Sequence, residues 1–171
     1  MKKMLTAVLI STALLTSAFA YSSDAKPGKT ITKEVSLKSD FQKIEMGSNM
    51  QLVLVQDATI SSISITGDEN IVKDIKVTIE KGVLSVISKK GFRSQDIKIY
   101  VPVNMLTSID LGRGTSVSNE GIVKLNDLKI TVHVGSKVNL NVIGDFDVES
   151  GDDCDFVFEK YEKSNVVYVH D

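Results

Sequence analysis

Six carboxylates fall within eleven residues, Asp145, Asp147, Glu149, Asp152, Asp153 and Asp155, and oxygen ligands at this density are the chemistry of calcium binding. Asp145, Asp147 and Glu149 share parity, so on an extended chain they line one face. Calcium gathers about six to eight oxygens around a point, whereas a straight strand spreads them along a line. The expectation is a solvated acidic face, with Asp145, Asp147, Glu149, Asp152 and Asp153 as calcium candidates and no metal or cofactor assigned. The two histidines, His133 and His170, have no CxxC or HxxxH companion that would build a zinc site. Serines and threonines are abundant, but no Gly-x-Ser-x-Gly elbow is present to expose a nucleophile. Gly112-Arg113-Gly114 lacks the third glycine and the following helix of a dinucleotide loop. No catalytic residue is therefore expected, and the chain reads as a non-enzyme.

The elements that carry these residues are strands. Apolar and polar side chains alternate in Ile63-Ser64-Ile65, Ile75-Lys76-Val77-Thr78-Ile79, Ile97-Lys98-Ile99, Leu128-Lys129-Ile130-Thr131-Val132 and Phe146-Asp147-Val148. A period of two buries one face of a sheet. His133, between Val132 and Val134, is predicted to point outward. No window of a dozen residues shows a 3.6-residue period. The expected helix is a single turn around Ile71 and Val72, capped by Asp68 or Asn70. Gly82, in Glu80-Lys81-Gly82-Val83, marks a tight turn.

A degenerate repeat organises the second half. Gly114, Gly135 and Gly151 are each followed three positions later by Val117, Val138 and Cys154, and preceded three positions earlier by Leu111, Val132 and Val148. The spacings are 21 and 16 residues. Gly47 shares part of the pattern, with Ile44 before it and Met50 after it. Such units read as coils that turn at a glycine and bury their apolar faces against the next coil. The expected fold is all-β, a right-handed parallel β-helix or solenoid with irregular N-terminal strands, and a β-sandwich is the alternative. In this alignment Cys154 points into the core. The strands before residue 100 and the terminal Val166-Val167-Tyr168-Val169 are the expected caps.

The chain begins with Lys2 and Lys3, an apolar run from Met4 to Leu15, and Ala18-Phe19-Ala20. These are the parts of a cleaved signal peptide, residues 1–20, followed by a flexible leader over 21–30 and a single domain over 31–171. Tyr21 stands where a lipidated chain would need cysteine. Loss of Lys2 and Lys3 takes the net charge from −2 to −4. The densest basic stretch, Lys89-Lys90-Gly91-Phe92-Arg93, has only three charges and reads as a solvated loop, which argues against nucleic acid. With Lys, Asp, Ser and Thr at the outward positions, a membrane barrel is also disfavoured.

Phe41-Gln42-Lys43-Ile44-Glu45-Met46-Gly47, Leu52-Val53-Leu54-Val55-Gln56, Gly67-Asp68-Glu69-Asn70 and Gly82-Val83-Leu84 together resemble the head GIN domain family of auto-transporter adhesins, over about residues 40–160. The resemblance implies a right-handed parallel β-helix in an exported protein, with adhesion suggested by the family's name and no catalytic residues to carry over. The late repeats of that family tend towards Gly-Ser-Gly, whereas this chain has Gly112-Arg113-Gly114, Gly135-Ser136-Lys137 and Gly151-Asp152-Asp153. The expected function is an exported scaffold or adhesion-type binding module, periplasmic, cell-surface or secreted, with a shallow polar surface. Its expected partner is a glycan or an envelope protein, with no membrane span in the mature chain. The alternatives are a periplasmic ligand or lipid carrier and a polysaccharide-active enzyme.

Overall fold

The computed structural model describes residues 28–57, 59, 61–89, 91, 96–103, 105–160 and 165–170. The expected signal peptide, its expected cleavage point after Ala20, most of the expected leader, and Lys90, Phe92 and Arg93 of the basic stretch lie outside the described residues. In chain order the strands are β1 (Thr30–Ser36), β2 (Lys43–Met46), β3 (Gln51–Val55), β4 (Ser62–Asp68), β5 (Ile75–Glu80), β6 (Val83–Ser88) and β7 (Lys98–Pro102). They continue as β8 (Ser108–Leu111), β9 (Ser116–Glu120), β10 (Val123–Lys124), β11 (Leu128–Val132) and β12 (Lys137–Ile143), then β13 (Asp145–Ser150), β14 (Asp155–Lys160) and β15 (Asn165–His170). A single helical turn, α1 (Glu69–Val72), follows β4. Its N-cap is Asp68, whose carboxylate accepts from the Asn70 N–H at 2.8 Å. Ordered structure starts before residue 31. Gly28 N–H donates to Asp68, and Thr30 already pairs with it.

Two sheets enclose one apolar core. Sheet A runs β1-β4-β7-β3-β9-β12, with β10 beside β9 on the same edge of β12 and β14 on the other edge. Sheet B runs β5-β6-β2-β8-β11-β13-β15. From β2 onward the chain passes back and forth between the sheets, so most neighbours within a sheet come from different turns of the chain and pair in parallel. A sandwich of hairpins would pair antiparallel, and among the described residues only β1–β4, β4–β7 and β5–β6 do so. The arrangement is β-helix-like. Chain order and spatial order differ at one place: β2 lies between β6 and β8, and β3 between β7 and β9.

Parallel register turns the sequence alternation into columns. Leu84, Ile44, Ile109, Ile130, Val148 and Tyr168 stack on the inner face of sheet B. Ile65, Ile99, Leu52, Val117, Val138 and Phe156 stack on that of sheet A. All of these except Tyr168 and Phe156, at one end, are essentially free of solvent contact. Each fully buried aliphatic side chain contributes about 1.5–3 kcal/mol, so the columns supply most of the drive to fold.

The expected glycine alignment holds between the coils at Gly114 and Gly135 and slips at the next. Lys137 pairs with Asp155 and Val132 with Ser150, which makes that spacing 18 rather than 16 and puts Asp153, not Gly151, opposite Gly135. Asn49 stands opposite Gly114 by the same register. All four corner residues are left-handed, with φ of 61° at Asn49, 64° at Gly114, 73° at Gly135 and 54° at Asp153. Asn and Asp are the non-glycine residues that visit this region most readily, so a search for glycine alone misplaces the corner. Phe156 is therefore the partner of Val138, and Cys154 joins Thr115 and Ser136 instead.

Candidate functional site

The residue after each of the corners at Gly114, Gly135 and Asp153 is a hydrogen-bond donor to the neighbouring coil, whereas Met50 follows Asn49. Thr115 Oγ1 donates to Gly47 O at 3.1 Å, Ser136 Oγ to Gly112 O at 3.2 Å, and Cys154 Sγ to His133 O at 3.3 Å. Thr115 and Ser136 are fully buried, and Cys154 is half-buried against the core. The cysteine is therefore not enclosed as the alignment with Val117 and Val138 predicted. It closes a ladder of structural donors. Gly112 is required at this corner, because a Cβ there would stand 2.8 Å from Ser48 N and 2.9 Å from Met46 O.

The carboxylates singled out by sequence are distributed over three places. Asp145, Asp147 and Glu149 occupy alternate positions of β13, Asp152 and Asp153 are exposed at the corner, and Asp155 opens β14 in the other sheet. Several have partners of their own. Glu149 pairs with Lys129 at 2.6 Å, Asp155 with Lys137 at 3.5 Å, and Asp145 Oδ1 accepts from Asn165 Nδ2 at 3.1 Å. Among the described residues no three acidic, histidine or cysteine side chains converge on one point. His133 is exposed, as alternation requires, and its Nε2 lies 3.4 Å from Asp110 Oδ1. On the outer face of sheet B, Lys129 and Glu149 thus form an exposed ion pair, which contributes about 0–1 kcal/mol.

The outer face of sheet A differs in chemistry. One column reads Thr66, Lys98, Gln51, Ser116 and Lys137, and the next Ser64, Tyr100, Val53, Ser118 and Asn139. Hydroxyls and carboxamides, with Lys98, Lys137, Val53 and one aromatic ring among them, lie on neighbouring strands about 4.8 Å apart, parallel except for β4. Sequence reasoning missed this surface because its residues come from strands up to 88 positions apart, from Gln51 to Asn139. At the side of the fold, Leu37, Phe41, Pro102, Met105 and Leu106 line an open groove of about 570 Å³ together with Lys38 and Asp40.

Carboxamide side chains complete this sheet where the backbone departs from it. Asn119 Oδ1 accepts from Asn141 N at 2.8 Å and its Nδ2 donates to Asn141 O at 3.0 Å. Gln56 does the same for Lys124, accepting from its N–H and donating to its carbonyl. Each carboxamide acts as a peptide group of a missing strand residue, which keeps the face continuous between β9 and β10.

Among the described residues no helix is long and apolar enough to cross a membrane. A comparison with curated proteins finds no match. Among solved structures, a "putative adhesin" from Parabacteroides distasonis is similar, with a TM-score of 0.56 at 16% identity over 81% of this chain and 67% of that one. A "putative adhesin" from Bacteroides fragilis gives 0.54 at 14% identity over 84% of this chain and 95% of that one. At these identities the likeness concerns the fold. The family described as "Putative auto-transporter adhesin, head GIN domain" matches residues 40–151, well over half of the sequence. The chain belongs to the head GIN domain family.

Proposed function

We propose that this chain is an exported, non-enzymatic adhesion-type module, a right-handed β-solenoid that presents the outer face of sheet A to a glycan. The observation that carries this reading is the pair of columns around Tyr100. The Tyr100 ring, between Ser64 and Val53 with Ser118 and Asn139 further along the same row, offers stacking and hydrogen bonds over a broad, shallow area. Family membership and the signal-peptide pattern of residues 1–20 support export to the periplasm, the cell surface or the medium.

The experiment is a glycan array read with folded protein, followed by binding to whole cells. Tyr100→Ala should abolish retention on the array and leave the melting temperature within a few degrees, since the ring lies on the outer face. Negative results on both array and cells would reduce the chain to a structural domain. A second reading, a carrier of a small apolar ligand or lipid, draws on the groove at Leu37, Phe41 and Leu106. Extraction of a bound lipid from purified protein would favour it over the adhesion reading.

A further inference from the structure

The two ends of the molecule are cut at different levels. Because β9 and β10 share one edge of β12, sheet A has seven layers, as many as the seven strands of sheet B. The layers are displaced by one. At one end β1 extends sheet A one strand beyond β4, while sheet B stops at β5. At the other end β15 extends sheet B one strand beyond β13, while sheet A stops at β14 among the described residues. A step down in sheet B at one end thus meets a step up in sheet B at the other.

Side chains at the two steps are complementary. Where sheet B lacks a strand opposite β1, a groove of about 560 Å³ is lined by Val35, Ile75 and Val77 with Lys33, Lys76 and Lys89 around it. At the opposite end β15 carries no acidic or basic side chain from Asn165 to Val169, and Val167, Tyr168 and Val169 are each about half exposed. Tyr168 belongs to the inner column, yet it is about half exposed, meeting Phe156 and Phe158 edge-on at 5.7 and 6.0 Å between ring centres, and among the described residues sheet A has no strand opposite it. An uncharged, exposed edge strand is a template for pairing with another chain. Behind it stand Asp145, Asp147, Asp152 and Asp153, of sign opposite to the lysines of the groove.

We infer that this chain associates head to tail with further copies of itself, β15 of one copy entering the groove beside β5 of the next while β14 meets β1. The inference is independent of the glycan reading. A two-fold contact between two β15 ends would juxtapose like charges and leave a two-strand gap in sheet A, whereas the head-to-tail contact continues both sheets without a gap. Being heterologous and unclosed, it builds open chains of molecules. Lys33 sets its strength. Its ammonium reaches from β1 across to Ile75 O at 3.3 Å, an inward charge at the edge where β15 must dock, so association is weak and reversible.

Sedimentation of the processed chain, residues 21–171, tests this, with mass-average weight measured up to about 1 mM, the range of the weakest specific contacts. The weight should rise past that of a dimer without a plateau and fall with added salt, which screens charges beyond about 8–10 Å. Lys33→Met should increase association at least tenfold. Lys76→Glu with Lys89→Glu blocks the groove end; Tyr168→Lys blocks the other, with Val167→Pro as a second variant should circular dichroism show Tyr168→Lys misfolded. Each blocked protein alone should be monomeric, and an equimolar mixture of the two should form a heterodimer through the one good end of each. A monomeric wild type at the highest concentration, or a dimer that survives the groove variant, would overturn the inference.

Discussion

Gly144 sits between β12 and β13 with φ of 128°, a conformation that side-chain-bearing residues rarely adopt. A Cβ added there would lie 1.7 Å from Leu125 O and 2.8 Å from Leu125 C. An ordinary carbon–oxygen contact needs about 3.3 Å, so Gly144→Ala must separate two backbones by about 1.6 Å. The two hydrogen bonds that bracket the contact, Leu125 N to Ile143 O at 3.1 Å and Asn165 N to Gly144 O at 3.3 Å, resist that movement. Backbone strain of about 1–3 kcal/mol adds to overpacking of about 1–3 kcal/mol, for a loss of about 4 kcal/mol. At about 2–4 °C per kcal/mol for a domain of this size, thermal denaturation followed by circular dichroism should shift by about 8–16 °C. Gly121 is the control. Its φ is 73° and nothing lies within 4 Å of its added Cβ, so Gly121→Ala should lose only the left-handed cost of about 1–2 kcal/mol. Equal shifts for the two variants would show that the Leu125 contact is not what holds glycine at 144.

Ser136→Ala should destabilise by about 1–3 kcal/mol by removing the donor to Gly112 O, while Ser136→Thr, which copies Thr115 one coil away, should be nearly neutral; a denaturant midpoint for the alanine variant equal to wild type would remove the corner ladder from the account. Asn119→Leu should cost about 1–3 kcal/mol, since it leaves the Asn141 N–H and carbonyl without their surrogate strand, and hydrogen exchange at Asn141 should accelerate; unchanged exchange would refute it. Cys154 should react with a thiol reagent in the folded state, more slowly than in denaturant, because it is half-buried; full protection until unfolding would contradict this placement. The Asp57 carboxyl is held below the usual carboxylate range by the Thr59 hydroxyl and then by the Thr59 N–H. A lowered folded value means that any linked stability is present above the unfolded value and lost on acidification through the folded one; carboxyl NMR titration should find Asp57 low in wild type and raised part of the way to the ordinary value in Thr59→Ala, which keeps the backbone N–H, and no difference would sink the assignment.

Alternation was legible because it is local. Ile130, Val132, Phe146 and Val148 are buried as their parity requires, and Asp68 caps the single turn after β4. Register was not local. The third coil slipped because Asp153 performs the turn that Gly135 performs, and a left-handed corner is chosen by backbone conformation rather than by residue name. The place of β2 between β6 and β8 was equally hidden, since Ile44 finds partners at Leu84 and Ile109, 40 and 65 residues away, with nothing in the adjacent sequence to select them.

The candidate site was less legible for a related reason. Motifs that announce chemistry place their residues on one loop or helix face, where spacing along the chain equals spacing in space. On a parallel sheet, neighbours come instead from successive coils: Tyr100 touches Val53 on one side and Ser64 on the other, and Ser118 follows one strand further on. A compact run such as Asp145 to Asp155 is correspondingly a poor guide, because the corner at Asp153 sends its two halves to opposite sheets. In a fold of this kind a functional patch should be sought across the register columns. The strongest signal is then a column whose chemistry departs from its neighbours, as the one that sets Tyr100 between Ser64 and Val53 departs from the Lys98 and Lys137 column beside it.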